Sequence, residues 1–150
     1  MRTRAACLFA VSCIALSGCG TGASTVEQQS EATLYYPGSH VIYGDTVPQN
    51  VICIDDCHPA GRTVTLEASA NAQQIMSWYG AKLRAAGWSL DPYDKGTNPT
   101  LRSWQRNGGA PHGYGFQVEI GVQYTYPTTY RLPFRSGLTY FRLSFVVPDS

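Results

Sequence analysis

The chain has 150 residues, of which 43 % are hydrophobic and 14 % are charged, and its formal net charge is +1. This length is typical of one domain, and the apolar fraction excludes an intrinsically disordered chain. Lysine and arginine total 11 against 10 acidic residues, so the charge excludes an extended basic surface for nucleic acid. No run of about 20 apolar residues follows the N-terminus, which argues against a protein with several membrane spans.

The N-terminal residues have the pattern of an export signal. Arg2 and Arg4 supply a basic start, and an apolar stretch of 12 residues follows from Ala5 to Leu16. Such a stretch is too short for a membrane-spanning helix but has the length of the apolar part of a signal peptide. We therefore predict a signal peptide over residues 1–18.

The signal peptide ends in Leu16-Ser17-Gly18-Cys19, which resembles the lipobox of bacterial lipoproteins. The resemblance implies that the Cys19 thiol receives a diacylglyceryl group and that Cys19 becomes the new N-terminus. It also implies a lipid-anchored protein of the cell membrane that faces outside the cytoplasm. Two acyl chains are sufficient for stable anchoring, at about 0.8 kcal/mol per buried CH₂ group. An ordinary secretory peptide, or an N-terminal anchor with a fortuitous cysteine, is the alternative.

The residues after Cys19 read as a linker. Residues 20–33 are small and polar, with Val26 as an isolated apolar residue, and a flexible chain of this length has a root-mean-square reach of about 20 Å. We therefore expect the lipidated Cys19 and a tether over residues 19–33, and one domain over residues 34–150. Without Arg2 and Arg4 the mature chain has a net charge of about −1, so lipid rather than a basic patch would attach it to the membrane.

The cysteine pair Cys53 and Cys57 is the most specific chemical motif of the mature chain. A local disulfide is expected because exported chains mature in an oxidising compartment. Four steps of extended strand span about 13 Å, beyond the roughly 7 Å limit between bridged Cα atoms, so the segment must turn. The residues Asp55 and Asp56 between the cysteines suit such a turn.

Two other interpretations of this pair stay open, and both use His58. Zinc or copper could bind the two thiolates and His58 if His40 or His112 completed the ligand set. Covalent haem is the other, although the spacing C-x-x-x-C-H is one residue longer than the usual C-x-x-C-H.

One segment, Asn71–Ala86, has a helical period. Its apolar residues recur every four positions at Ile75, Tyr79 and Leu83. Asn71 and Gln74 match a capping box, and Gly87 suits the left-handed end of a helix. Gly80 inside the helix costs about 1 kcal/mol relative to alanine, a loss that close packing of a strand would explain.

Strand-like segments surround this helix. Alternation of apolar and polar residues, with period two, predicts strands at Arg62–Ala68, Trp88–Leu90, Leu101–Arg106, Phe116–Val122 and Phe141–Phe145. Asn107-Gly108-Gly109 predicts a turn, and Leu34–Tyr36 and Val41–Tyr43 are edge strands or loops. The expected fold is α+β, with a single amphipathic helix packed on a mostly antiparallel sheet in the order strand, helix, meander.

Residues 62–147 resemble a module of small bacterial lipoproteins that has a helix followed by three strands. The residues that carry this resemblance are Ile75, Trp78, Tyr79, Leu83, Gly87 and Trp88. The resemblance implies a fold rather than a function.

A loop rich in tyrosine is the remaining functional hint. Tyr124, Tyr126 and Tyr130 are followed by Arg131 and Arg135, and exposed tyrosine and arginine are favoured at interfaces and can stack on sugars. Alternatively, these aromatic rings cover the second face of the sheet or close a hairpin.

Catalytic motifs are absent from the mature sequence. Neither a G-x-S-x-G elbow, an H-E-x-x-H pair, a P-loop nor a dinucleotide-binding glycine pattern occurs. We therefore expect a non-catalytic binding or accessory module of the cell envelope, with an envelope protein or glycan as partner, no nucleic acid and no cofactor. The alternative is a haem- or metal-handling protein that uses Cys53, Cys57 and His58.

Overall fold

The computed structural model describes residues 23–47, 59–94, 97–109, 113–123 and 131–148. A short helix and a 3-10 turn come first, and six strands and one longer helix follow. In chain order these elements are α1 (Ala23–Glu27), the 3-10 turn (Ser30–Thr33), β1 (His40–Val47), β2 (Gly61–Ala68), α2 (Ala72–Ala85), β3 (Ser89–Leu90), β4 (Leu101–Arg106), β5 (Tyr114–Ile120) and β6 (Thr139–Val146). Neither of the two α-helices in these ranges is long and apolar enough to span a membrane.

The six strands form one antiparallel sheet in the order β1-β2-β6-β5-β4-β3. Strands β3 to β6 form the expected meander, and β6 returns beside β2, so that the hairpin β1–β2 extends the same sheet. An antiparallel sheet with one substantial helix is therefore confirmed, although strand dominates over helix in the part of the chain that the structure describes.

Helix α2 begins and ends where its sequence predicts. The side chain of Asn71 accepts a hydrogen bond from the Gln74 backbone N–H at 2.9 Å, and the Gln74 side chain accepts one from the Asn71 backbone N–H at 2.9 Å. This capping box satisfies two backbone N–H groups that a helix start leaves free. After the helix, Gly87 adopts a φ of +82°, which favours glycine because it has no Cβ atom.

Most predicted strands are confirmed within two residues. Strand β4 has the predicted bounds, Val41–Tyr43 lies within β1, and β5 ends at Ile120 because Gly121 turns the chain with a φ of +79°. Leu34–Tyr36 forms no strand, and its side chains pack on the core.

One face of the sheet, which we call the covered face, carries most of the apolar core. Its buried side chains include Val64, Leu66, Phe116, Val118, Phe141, Leu143 and Phe145. Helix α2 crosses this face over β4, β5 and β6, where the Tyr79 ring lies 5.8 Å from the Phe116 ring and 6.2 Å from the Phe141 ring. Trp88, three residues after the end of the helix, packs on Phe116 and Phe145.

Residues 19–33 are expected to form a flexible tether, but from Ala23 onward this segment packs on the domain. Val26 is fully buried, and Ala32 belongs to the same core cluster, while α1 packs against β1 and β2. The physical reason is width. Six strands span about 24 Å, whereas one helix with its side chains is about 10–12 Å wide. Helix α2 therefore leaves part of the covered face bare, and residues 23–33 cover it.

Candidate ligand-binding face

The opposite face of the sheet, the polar face, carries a row of hydrogen-bonding side chains. Register places five residues directly opposite one another across β1, β2, β6, β5 and β4: Asp45, Thr63, Ser144, Gln117 and Ser103. We call these residues the polar row. Because directly opposed residues point to the same side of a sheet, the row crosses five strands at spacings of about 4.8 Å. All five are half-buried.

Beside the polar row, two glycines flank Val146. Gly61 and Gly115 are both directly opposite Val146. A Cβ atom added at Gly115 would lie 2.7 Å from Val146 Cγ2, and one added at Gly61 would lie 3.2 Å from Val146 Cγ1. The Val146 side chain therefore occupies space that a side chain on either neighbour would need. Because glycine has no side chain, the surface of the sheet forms a depression on each side of Val146.

Two shallow grooves result, one on each side of Val146. The groove over β4, β5 and β6 has a volume of about 260 Å³, and the groove over β1, β2 and β6 has a volume of about 250 Å³. The first is lined by Ser103, Gln105, Gln117, Ser144 and Asp91, and the second by Thr63 and Ser144 among others. Ser144 of the polar row therefore lines both grooves.

Neutral hydrogen-bonding groups dominate the groove over β4, β5 and β6. The Gln117 side-chain amide donates to Ser103 Oγ at 3.2 Å, which leaves the amide oxygen of Gln117 available as an acceptor. Asp91 is the one acid among the residues that line this groove, and its Oδ1 accepts the Tyr93 backbone N–H at 2.8 Å. No histidine or cysteine lines it within the described ranges. The chemistry that this groove offers is hydrogen bonding to an uncharged ligand.

A second polar cluster lies on the covered face and centres on Glu31. The Glu31 carboxylate is only 7 % exposed, and it accepts hydrogen bonds from Trp88 Nε1 at 3.1 Å, Arg106 at 2.7 Å and Ser30 Oγ at 3.0 Å. The Arg106 guanidinium stacks over the rings of Trp88 and Tyr114, 4.8 and 4.6 Å from their centroids.

Burial opposes ionisation of Glu31. The hydrogen bonds from Trp88, from its own backbone N–H and from Ser30, together with the charge of Arg106, outweigh burial, so that the pKa of Glu31 lies below its ordinary value. This cluster ties the N-terminal segment to β4 and to the end of α2. Because its polar groups already hold one another, we interpret it as a structural lock rather than a ligand site.

Most of the residues that the sequence singled out lie outside the described residues. These are Cys19, Cys53, Cys57, His58, His112, Tyr124, Tyr126 and Tyr130. Within the described ranges, no three histidine, cysteine or acidic side chains are placed to hold a metal ion. The ranges omit the cysteine pair, so the disulfide and the metal or haem alternatives stay predictions. Metal analysis and the visible spectrum of the purified protein would test the alternatives.

The two arginines of the proposed interface are placed, and both are exposed. Arg135 forms an ion pair with Glu67 at 3.5 Å, and its backbone N–H donates to the Tyr140 hydroxyl at 3.0 Å. Glu67 lies on β2 four residues beyond Thr63, a distance of about 13 Å along a strand. Arg135 is therefore at the far end of the polar face from the grooves. Gln123 and Leu132, the two stems of the tyrosine loop, are joined by a backbone hydrogen bond of 3.0 Å.

Sequence reasoning missed the polar row because four of its members stand in four different predicted strands, and Asp45 lies two residues beyond the segment Val41–Tyr43. Each is an ordinary polar residue of an alternating strand, and only the register brings them side by side. It also missed Glu31, for which the isolated Val26 in a polar segment was the one available signal.

Comparisons with family models, with curated proteins and with solved structures gave no match for this chain. The interpretation of the polar face therefore depends on its own geometry.

Proposed function

We propose that this chain is an exported lipoprotein, anchored in the membrane at Cys19, and that its α+β domain is a non-catalytic binding module of the bacterial cell envelope. The motif Leu16-Ser17-Gly18-Cys19 supports the anchor. The polar row and the two grooves beside it support the binding role.

The observation that carries the binding role is the continuity of the polar row across five strands. A ligand that lies across the strands meets a hydroxyl or an amide about every 4.8 Å, from Thr63 through Ser144 and Gln117 to Ser103. Asp45 adds a charge only at the β1 end of the row. Such a surface suits an uncharged polymer with regularly spaced hydroxyl or amide groups, as in an envelope glycan or an extended peptide.

The chemistry of the grooves favours binding over catalysis. Ser103 and Ser144 supply hydroxyls, but a serine nucleophile needs a base within hydrogen-bonding distance. The candidate base among the described lining residues of the groove over β4, β5 and β6 is Asp91. Within the described residues no hydrogen bond joins Asp91 to either serine hydroxyl, and Ser103 Oγ accepts from the Gln117 amide instead. We therefore assign the serines to hydrogen bonding with the ligand.

Replacing Cys19 tests the anchor. The Cys19→Ala variant is expected to stay unprocessed and to lack the mass of the diacylglyceryl group. The matched control is Cys13→Ala, which removes a cysteine from the apolar stretch and should mature normally. Intact mass and membrane fractionation are the measurements, and a Cys19→Ala protein that matures and remains membrane-bound would contradict the proposed anchor.

Photo-crosslinking tests the binding face in the anchored, full-length protein. A photoreactive residue at Gln117 should give a crosslinked product, and the same residue at Ala85, exposed at the end of α2, should not. A further change, Ser144→Arg, places a bulky cation beside Gln117 and should abolish the product. Loss of the added mass on treatment with a glycan hydrolase identifies a glycan, whereas mass spectrometry of the digested product identifies a crosslinked peptide. Equal crosslinking at Ala85, or a product that survives Ser144→Arg, would exclude the polar row as the binding site.

A further inference from the structure

The chain between the proposed anchor and the first packed residues is short. From this we propose that the β1 edge of the sheet lies next to the phospholipid bilayer that carries the anchor, with the β3 edge directed away from it. The inference rests on the proposed lipidation of Cys19 and adds an orientation to it.

The first step is that the N-terminal segment is held by the domain. Val26 is fully buried, and the Glu31 carboxylate binds Trp88 and Arg106. Farther along, the Tyr36 backbone N–H donates to the Tyr79 hydroxyl at 3.1 Å. Contacts of this kind over residues 26–36 mean that the segment does not act as a long flexible linker.

The second step is the reach of the remaining chain. Cys19 and Ala23, where α1 begins, are separated by four Cα–Cα steps of 3.8 Å, so the two Cα atoms are at most about 15 Å apart. A tether reaching to Thr33 would span up to about 50 Å when extended. The lipidated residue must therefore lie close to α1.

The third step is the direction that this imposes. Helix α1 packs against β1 and β2, and the strand order places β3 at the opposite edge, about 24 Å from β1. If the β3 edge rested on the bilayer, α1 would be farther from it than about 15 Å, the reach of the chain. The short chain therefore excludes the β3 edge, and of the two edges of the sheet it favours β1 next to the lipid.

The exposed side chains of β1 fit this position. Val41 and Val47 are 50 % and 42 % exposed. They lie opposite Leu66 and Gly61, so each face of this edge carries one exposed apolar side chain. Lysine and arginine are absent from β1, so attraction to anionic lipid is not expected to contribute. Zwitterionic phosphatidylcholine is therefore a sufficient partner surface for the test.

Energy transfer to the membrane measures the orientation. The full-length lipidated protein is reconstituted in phosphatidylcholine vesicles that contain an acceptor-labelled lipid. A fluorescent amino acid is incorporated either at Val41 or at Tyr93, which is 91 % exposed in the turn after β3. We expect transfer from position 41 to exceed transfer from position 93 at least about twofold, because the sheet is about 24 Å wide.

The matched control inserts 12 residues of glycine and serine after Gly22. A flexible segment of this length adds about 20 Å of reach, so the difference between the two positions should disappear. Equal transfer from both positions in the chain without the insertion would overturn the orientation.

Intact mass of the same samples separates this inference from the proposed function. Lipidated protein with equal transfer overturns the orientation alone and leaves the anchor standing. Protein that carries no lipid and does not sediment with the vesicles overturns both.

Discussion

At the scale of single residues, Glu31 shows how a charge becomes a structural element. A buried carboxylate is costly unless hydrogen bonds and a nearby cation compensate for its lost hydration. Here Trp88 Nε1, Ser30 Oγ and Arg106 supply that compensation. As a result, the ionised form is stabilised and the pKa of Glu31 is lowered from its ordinary value of 4.5.

The Glu31→Gln variant is expected to lose about 1–3 kcal/mol of unfolding free energy at pH 7, since a buried, charge-assisted hydrogen-bond network is broken. A depressed folded-state pKa contributes stability above the unfolded value, and this contribution is lost as the pH falls through the folded pKa. The difference between the variant and the native chain should therefore shrink at pH 3. Urea unfolding at both pH values is the measurement.

The control for this prediction is Glu27→Gln, which changes an exposed acid in the same N-terminal segment and should change stability by less than about 0.5 kcal/mol. A loss of equal size for Glu31→Gln at pH 7 and pH 3 would show that the lowered pKa is not the cause.

At the scale of elements, Gly80 and Gly115 differ in the space around them. Gly80 has room for a methyl group, so helix propensity decides the effect of a substitution there, whereas at Gly115 packing decides it. A Cβ at Gly80, inside α2, would lie 3.9 Å from Trp104 Cζ2, an ordinary van der Waals distance. The structure therefore has room for an alanine at position 80, and close packing against β4 does not require the glycine. At Gly115, in β5, the same atom would lie 2.7 Å from Val146 Cγ2.

We expect Gly80→Ala to stabilise the protein by about 0.5–1 kcal/mol, because alanine restricts the unfolded chain and favours the helix. Gly115→Ala should destabilise it by about 1–3 kcal/mol, because Val146 has to move. Thermal unfolding of both variants is the measurement. Changes of the same sign would contradict this account of the two sites.

At the scale of the whole molecule, residues 23–33 complete the core. Helix α2 covers the sheet over β4 to β6, and the N-terminal segment covers part of the remainder, with Val26 and Ala32 in the core cluster. A sheet of this width needs both covers because one helix is about half as wide. The segment is therefore part of the domain in the structure, although its composition is that of a linker.

Truncation distinguishes a cover from a tether. A mature chain that starts at Leu34 is expected to lose about 3 kcal/mol or more of unfolding free energy, since it removes buried Val26 and the bonds of Glu31. A chain that starts at Ala23 keeps the cover and should match the chain that starts at Gly20. Chemical denaturation measures the unfolding free energy of all three chains. Equal stability of the chains that start at Leu34 and at Ala23 would show that residues 23–33 act as a tether and not as a cover.

Local features were readable in the sequence because each depends on close neighbours along the chain. The helix cap needs Asn71 and Gln74, three residues apart, and the stop needs Gly87 alone. The strands follow from alternation within six to eight residues. The burial of Glu31 depends instead on Trp88 and Arg106, which are 57 and 75 positions away. No local pattern reports such a contact.

The amino-acid sequence by itself determined helix α2, most strands and their turns, because backbone propensity, capping and periodicity act over a few residues. It also supplied the motif at Cys19 on which the proposed anchor depends. Only the tertiary structure decided that Thr63, Ser144, Gln117 and Ser103 stand in one row, since the register of the strands aligns residues far apart in the chain. It likewise decided that Val26 and Ala32 belong to the core, because the width of the sheet left a surface that one helix could not cover.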